Sequence, residues 1–293
     1  MSLEKYLSER GKAVDAALNR ALPKATVKPA TIHKAMRYSL FAGGKRMRPI
    51  LAVAAAEACG GKIEAALPAA CAVECVHTYS LIHDDLPCMD DDDMRRGRPT
   101  SHKVFGEGIA VLAGDALVTQ AFEILAHAKE TSRYKIRDLI LELSHAAGSL
   151  KLIAGQVADL EGEGKKSTRK ELRFIHECKT AAMIETSLRL GAMSANATPA
   201  KLEALTTFGR SLGLAFQVID DILDITQTSE KLGKSAGKDV AAQKTTYPAL
   251  IGLEAARKEA QSLTAAAHAA LKPFGPKAKT LHEIADYLLA REY

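Results

Sequence analysis

Six aspartates stand within ten positions in HDDLPCMDDDD (83–93), as Asp84, Asp85, Asp90, Asp91, Asp92 and Asp93. Three arginines, Arg95, Arg96 and Arg98, follow at once. A second acidic group, Asp220, Asp221 and Asp224, interrupts the apolar run FQVIDDILDI (216–225). Adjacent carboxylates repel one another, and an unpaired carboxylate in apolar surroundings is costly. A cation must compensate, either the arginines folding back or a bound metal. Oxygen-only donors suit a hard cation such as Mg²⁺, which binds through one or two carboxylates plus substrate phosphates. Two such groups facing each other can hold several ions with a diphosphate between them. Solvated acidic turns with local arginine partners are the plainer reading, and they account poorly for carboxylates inside an apolar helix.

Basic residues supply the complement. In FAGGKRMRP (41–49), Gly43 and Gly44 allow a ligand to approach the backbone closely. Lys45 and Arg48 then offer a point charge and a planar fork, both suited to phosphate. The GxxxxGK[ST] spacing of a Walker loop is absent, and by itself the segment also reads as an ordinary basic turn. His77 precedes Asp84 by seven positions and shares its helix stripe. Lys179 in ECKTAA, Lys234 in LGKSAGKD and Lys244 in QKTTYP each read as solvated lysine or as a phosphate ligand. The Gly- and Lys-rich stretch 228–248 reads as a loop that closes over phosphate.

These side chains need helices to position them. AACAVECVHTYSLIHDD predicts a buried helix stopped by Pro87, with Leu86 pushed out of the helical region. Asp84 and Asp85 then sit at its C-terminal end, where the helix dipole is already negative. Asp220 and Asp224 are four apart on one face of a second helix, with Asp221 about 100° round. Elsewhere apolar residues recur at three and four. RDLILELSHAAGSLKLIAGQVADL places Leu139, Leu143, Ala146, Leu150 and Ile153 on one stripe. Strand-like alternation is scarce. The pattern predicts an all-α single-domain bundle of about ten or more helices spanning 1–293. Its chemically loaded breaks fall at 86–102 and 228–248.

Composition agrees. Hydrophobic residues make up 47% and aromatics 5%, with no Trp, so Ala, Leu, Ile and Val must build the core. The net charge of +5 is not gathered into a long basic run, which argues against a nucleic-acid partner. The five cysteines show no disulfide or zinc spacing, and Cys71 and Cys75 read as small buried hydrophobes. A reduced, cytoplasmic protein is expected. The start of the chain mixes charges and lacks a secretory h-region. No uninterrupted run reaches about 18 apolar residues, so no membrane span is expected.

Taken together, GGKRMRP, HDDLPCMDDDDMRRGRPTSH, GQVADL, KTAAMI, FQVIDDILD and KDVAAQKTTYP resemble the trans-isoprenyl diphosphate synthases in order and spacing, over nearly the whole chain. The resemblance implies helices around a deep central cavity, a homodimer, diphosphate substrates and three Mg²⁺ ions. It assigns the metal to Asp84, Asp85, Asp90, Asp220 and Asp224, with Asp221 in the same motif. Arg95 resembles the arginine that holds the allylic diphosphate. Lys45, Arg48, His77 and Arg96 resemble the isopentenyl diphosphate site. Lys179, Thr180, Gln217, Lys234 and Lys244 resemble the residues closing on the allylic substrate, with Lys238 an alternative to Lys234.

The implied chemistry is ionisation of the allylic C–O bond, attack by the isopentenyl π bond, and proton loss to the departing diphosphate. Tyr79 and Ser80 fall where product length is set. A bulky Tyr79 about 7.5 Å along the axis from Asp84 reads as a floor and resembles bacterial farnesyl diphosphate synthases. Geranylgeranyl diphosphate synthase is the alternative, with a smaller or more flexible side chain there. A non-catalytic partner subunit and a metal-dependent phosphohydrolase are readings of other classes. An EF-hand is excluded because DDDDMRRGRPTS lacks Glu at its twelfth position.

Overall fold

In the computed structural model, residues 1–165, 167–226 and 245–290 are described. The fold is all-α. The helices run α1 (Leu3–Ala21), α2 (Ala30–Leu40), α3 (Met47–Ala58), α4 (Ile63–Asp84), α5 (Ser101–Phe105), α6 (Glu107–Ala126) and α7 (Ile136–Ala147). They continue as α8 (Leu152–Gly162), α9 (Arg169–Ile175), α10 (Ala182–Ser194), α11 (Pro199–Thr226), α12 (Tyr247–Ile251), α13 (Leu253–Ala270) and α14 (Lys279–Leu289). A π-helical turn, His176–Ala181, makes α9 and α10 one continuous rod, and a 3₁₀ turn, Lys272–Ala278, links α13 to α14.

Two apolar clusters fill the interior. One surrounds α4, packed against α3, α6 and α10. The other surrounds α11, packed against α10 and α13. Helices α3 and α10 feed both: Ala52 and Met183 belong to the first, Leu51 and Leu188 to the second. Alanine permits this, since α3 buries five of them with no side-chain entropy to lose. The two clusters therefore share a wall, and α4 and α11 carry their aspartates on either side of it. Cys71 and Cys75 are buried in the first cluster, and burial pushes both thiols well above their usual range.

Two sequence expectations need correction. The stripe running from Leu139 to Ile153 is two helices. Gly148 ends α7 in an extended conformation, the helical phase is lost, and Leu150 and Ile153 emerge 70% and 45% exposed. Segment 86–102 contains a small antiparallel hairpin, Met94–Arg95 against Arg98–Pro99. Arg96 and Gly97 form its two-residue turn with φ of 52° and 72°, the positive angles that suit the twist of a tight hairpin. Helices α4 and α6 are long and apolar enough to cross a membrane by length and composition. A buried core helix passes the same test. In α4, 67% of the apolar window is buried inside the protein; in α6 the share is 39%.

A buried ion network anchors the basic turn to this frame. Arg46 adopts φ 51° at the N-terminal boundary of α3 and is only 6% exposed. Its guanidinium donates to Glu74 Oε1 on α4 at 2.8 Å, to Asp15 Oδ1 on α1 at 2.8 Å and to the Leu40 carbonyl at 2.6 Å. Removing one partner from a buried pair leaves an uncompensated charge, which costs about 3–5 kcal/mol. Arg46→Met is expected to lower the unfolding free energy by about that amount in urea titrations. A loss below about 1 kcal/mol, the range of an exposed ion pair, contradicts an anchoring role.

Candidate active site

Three chambers meet between α4, α8, α10 and α11. The first is polar, about 390 Å³, with Asp90, Arg95 and Asp159 on one side and Asp220, Asp221 and Gln217 on the other. The second is apolar, about 590 Å³, bordered by Tyr79, Ser80 and Asp84 of α4, Leu152 and Val157 of α8, and Met183 of α10. The third is a small basic pocket of about 170 Å³ bounded by Lys45, Arg48, His77 and Arg96. Lys179 and Thr180 line both the polar and the apolar chamber. Arg48 and His77 line both the apolar chamber and the basic pocket. The apolar cavity thus opens towards cationic or hydroxylic side chains on two sides.

The π turn makes the first junction. It carries Lys179 and Thr180 at the point where α8 comes nearest: a Cβ on Gly155 would lie 2.4 Å from the Lys179 backbone nitrogen. Single π turns inserted between α-helices occur frequently at functional sites. Lys179 Nζ donates to Asp159 Oδ2 at 2.6 Å, and Thr180 Oγ1 donates to Gln217 Oε1 at 2.6 Å. Thr180 and Gln217, from two helices, are therefore a single dipolar unit facing the polar chamber.

The acidic residues do not act alike. Asp90 and Asp220 line the polar chamber, while Asp84 borders the mouth of the apolar one. Burial raises the Asp84 carboxyl, opposed by Lys179 and reinforced by Asp90. Asp85 is turned towards the hairpin, where Arg95 Nε and Nη2 both donate to its Oδ1 at 2.6 Å. Burial still pushes Asp85 up to about 6 against the pull of Arg95. Asp224 lies one turn beyond Asp220, 5% exposed, and among the described residues its buried Oδ2 has no hydrogen-bond partner. Asp221 accepts the Tyr247 backbone N–H at 2.9 Å and so ties α11 to α12. The Asp84 and Asp85 carboxyls that burial raises, together with the unpartnered Asp224 oxygen, are a donor set that hard divalent cations fit. Two further aspartates of the first run, Asp91 and Asp93, converge with His102 to within 4.8 Å.

The basic pocket gathers like charges. Gly44 (φ 114°) leaves room where a Cβ would meet the Arg96 guanidinium carbon at 2.6 Å. Arg96 also donates to the Gly43 carbonyl. The two glycines therefore admit an arginine from the hairpin, where the sequence had suggested a ligand. His77 Nε2 lies 3.3 Å from Arg48 Nη1. Burial holds His77 well below its usual range, reinforced by Arg48 and Arg96. A neutral His77 that accepts from Arg48 through Nε2 keeps its one N–H on Nδ1. Lys45 lies 5.2 Å from the Tyr287 ring centroid on α14. Lys234 and Lys244 lie outside the described residues, as does Lys238.

Sequence reasoning missed two members of the polar chamber. Asp159 lay within the quoted GQVADL but was not singled out. His176, 6% exposed, stacks on Tyr247 at 5.5 Å and sits 3.8 Å from Asp221 Oδ1. Its signal was a histidine three residues before Lys179 on the same rod.

Residues 29–282 match the family model described as Polyprenyl synthetase. The chain is 50% identical over 290 residues to a chloroplastic geranylgeranyl pyrophosphate synthase of Capsicum annuum, covering 98% of this chain and 78% of that relative. It is 47% identical over 294 residues to a dimethylallyltranstransferase of Fischerella ambigua, covering 100% and 84%. Among solved structures it superposes on an FPP/GFPP synthase from Zymomonas mobilis with TM-score 0.87, 37% identity and 98% coverage of each chain. A putative farnesyl-diphosphate synthase from Marinomonas gives TM-score 0.86, 39% identity and 99% coverage of each.

Burial pushes the His176 imidazole from 6.5 to about 4. Across that window the unfolded chain binds more protons here than the folded protein, so this contribution to stability is lost as pH falls. In urea unfolding between pH 7.5 and 5.0, His176→Asn is expected to lose on the order of 2 kcal/mol less than the parent. An equal loss in both proteins would mean that His176 titrates normally in the folded state.

Proposed function

The chain belongs to the polyprenyl synthetase family; from that premise we propose that it condenses an allylic diphosphate with isopentenyl diphosphate to give a longer trans-prenyl diphosphate. The observation that carries this reading is the meeting of the three chambers. Two diphosphates need two separate phosphate-binding sites, and the prenyl tail needs an apolar one between them. The polar chamber takes the allylic diphosphate, the basic pocket takes that of isopentenyl diphosphate, and the apolar cavity takes the tail. Residues 1–293 act as a single synthase domain in this reading.

Asp84, Asp85, Asp90, Asp220 and Asp224 are the residues that would hold Mg²⁺. When bound, the metal supplies neutralising charge for the leaving diphosphate. Arg95, released from Asp85, and Lys179, released from Asp159, add fixed positive charge on the same side. Lys45, Arg48 and Arg96 hold the second diphosphate, with the His77 Nδ1–H as a neutral donor. Thr180 and Gln217 direct oxygen dipoles towards the carbon that becomes electron-poor. Apolar walls on α8 and α10 keep water away from it. The departing diphosphate accepts the proton in this reading. Retention of both aspartate groups weighs against a non-catalytic partner subunit.

For the product we favour geranylgeranyl diphosphate, following the names of the relatives at about half identity. Supporting it, the Tyr79 ring lies edge-on against His83 of its own helix, 5.6 Å away at 82°. That leaves the α8 side of the cavity lined by Leu152, Ile153 and Val157. One observation favours farnesyl diphosphate instead: Tyr79 is the bulkiest side chain on the α4 wall of the cavity. We read the protein as a homodimer, with Val104, Val111 and Leu112 of α5 and α6 as the exposed apolar face for the second copy.

The deciding experiment incubates the protein with labelled isopentenyl diphosphate, dimethylallyl diphosphate and Mg²⁺, then sizes the products by chromatography. A C20 product is expected, and C15 selects the second product reading. Release of phosphate without condensation contradicts prenyl transfer. Tyr79→Ala is expected to shift the products to longer chains; an unchanged length removes Tyr79 from control of the cavity.

A further inference from the structure

A second group of ligating side chains lies away from the three chambers. His268 stands in the last turn of α13, and His282 and Asp286 stand one turn apart on α14. His268 Nδ1 and His282 Nδ1 face each other at 2.6 Å. The rings are nearly parallel, 10° apart, with centroids at 4.9 Å, so they meet nitrogen to nitrogen at their edges. Behind this contact, His268 Nε2 lies 2.8 Å from Asp286 Oδ1. The side chains of His268 and Asp286 are 29% and 64% exposed, which leaves the group open to solvent.

Proton bookkeeping narrows what the pair can do. Ionised Asp286 only accepts, so His268 Nε2 carries a hydrogen. In neutral His268 the Nδ1 atom is then a bare lone pair aimed at His282. His282 must either donate an Nδ1–H or present a second lone pair to a shared cation. A carboxylate behind one ring nitrogen, fixing the tautomer so that the other can ligate, is one of the outer supports, with backbone carbonyls and water, that metal-bound histidines almost always have. The carboxylate also offsets part of an added positive charge.

We propose that His268 and His282 bind a transition-metal dication of the Zn²⁺ type through their facing Nδ1 atoms. Asp286 orients His268, and solvent completes the coordination. Imidazole nitrogen suits Zn²⁺, Ni²⁺ and Cu²⁺, whereas Mg²⁺ prefers oxygen donors, so this site is chemically separate from the aspartate groups. Zn–N bonds of about 2.0–2.1 Å at a tetrahedral angle require the two nitrogens to part by roughly 0.7 Å, which half-exposed rings on two helices allow. The ion bridges α13 to α14. It therefore pins the helix whose next residues are Tyr287, with its ring 5.2 Å from Lys45 Nζ, and Leu288, which lines the basic pocket.

The test uses the full chain, stripped with chelator at pH 7.5 in excess Mg²⁺ to occupy oxygen sites. Co²⁺ is added as a spectroscopic probe and Zn²⁺ as a competitor. The wild type is expected to bind one Co²⁺ with visible d–d absorption, displaced by equimolar Zn²⁺. His282→Ala and His268→Gln should lose that absorption, and Asp224→Asn should retain it. Far-UV circular dichroism checks that each variant is folded. Imidazole ¹⁵N spectra of the wild type supply an independent readout: Zn²⁺ is expected to shift two Nδ1 resonances. Absence of the Co²⁺ bands in the wild type, or their persistence in both histidine variants, overturns the proposal. Imidazole resonances that ignore Zn²⁺ also overturn it and leave the pair sharing a proton.

Discussion

Like charges gathered beside an apolar cavity are the constraint on which the rest of the structure depends. Asp84 and Asp85 end a helix whose dipole is negative there, and burial raises both carboxyls. The protein sets cations against this charge, Arg95 on Asp85 and Lys179 on Asp159. On α11, the Asp224 Oδ2 is a buried acceptor that no described side chain satisfies. Interaction between charges strengthens as water is excluded. An arrangement that is poorly balanced when dry is one that an added cation relieves.

The opposite problem appears in the basic pocket. Arg48 and Arg96 share a small volume with a histidine kept neutral by their charge and by burial. Arg46 also borders it, but its guanidinium is bound to Asp15 and Glu74 and holds α1, α3 and α4 together. One five-residue stretch, Gly44–Arg48, thus supplies a structural ion network and two cationic side chains that line the basic pocket. The hairpin turn at Arg96–Gly97 delivers the third. Between the acidic and basic regions the π turn places Lys179 at one edge of the apolar cavity, while α4 places His77 at another.

Much of this was legible in the residues. The end of α4 follows from Pro87, and the shared face of Asp220 and Asp224 follows from their spacing. The all-α class follows from apolar recurrence at three and four. The rest depends on contacts that spacing cannot report. The break at Gly148 interrupts a periodicity that looks continuous through Ile153. The π turn is invisible in HECKTA, since an extra residue in the helix leaves no compositional mark. Arg46 and Arg48 look equivalent on the chain, yet Arg46 is bound to Glu74 and Asp15 while Arg48 meets His77. His176 and Asp159 were hidden because a single buried histidine or a lone aspartate on a helix is ordinary until its neighbours are known.

The most direct measurement is calorimetric titration of inorganic diphosphate into the protein, with and without Mg²⁺, on wild type and on Asp224→Asn. If opposed carboxylates need metal and diphosphate together, wild-type binding is tight with Mg²⁺, and at least about 100-fold weaker without it, a difference near 2.7 kcal/mol. The Asp224→Asn protein should lose most of that gain. Equal affinity with and without Mg²⁺, or a variant that keeps the full metal dependence, contradicts the account.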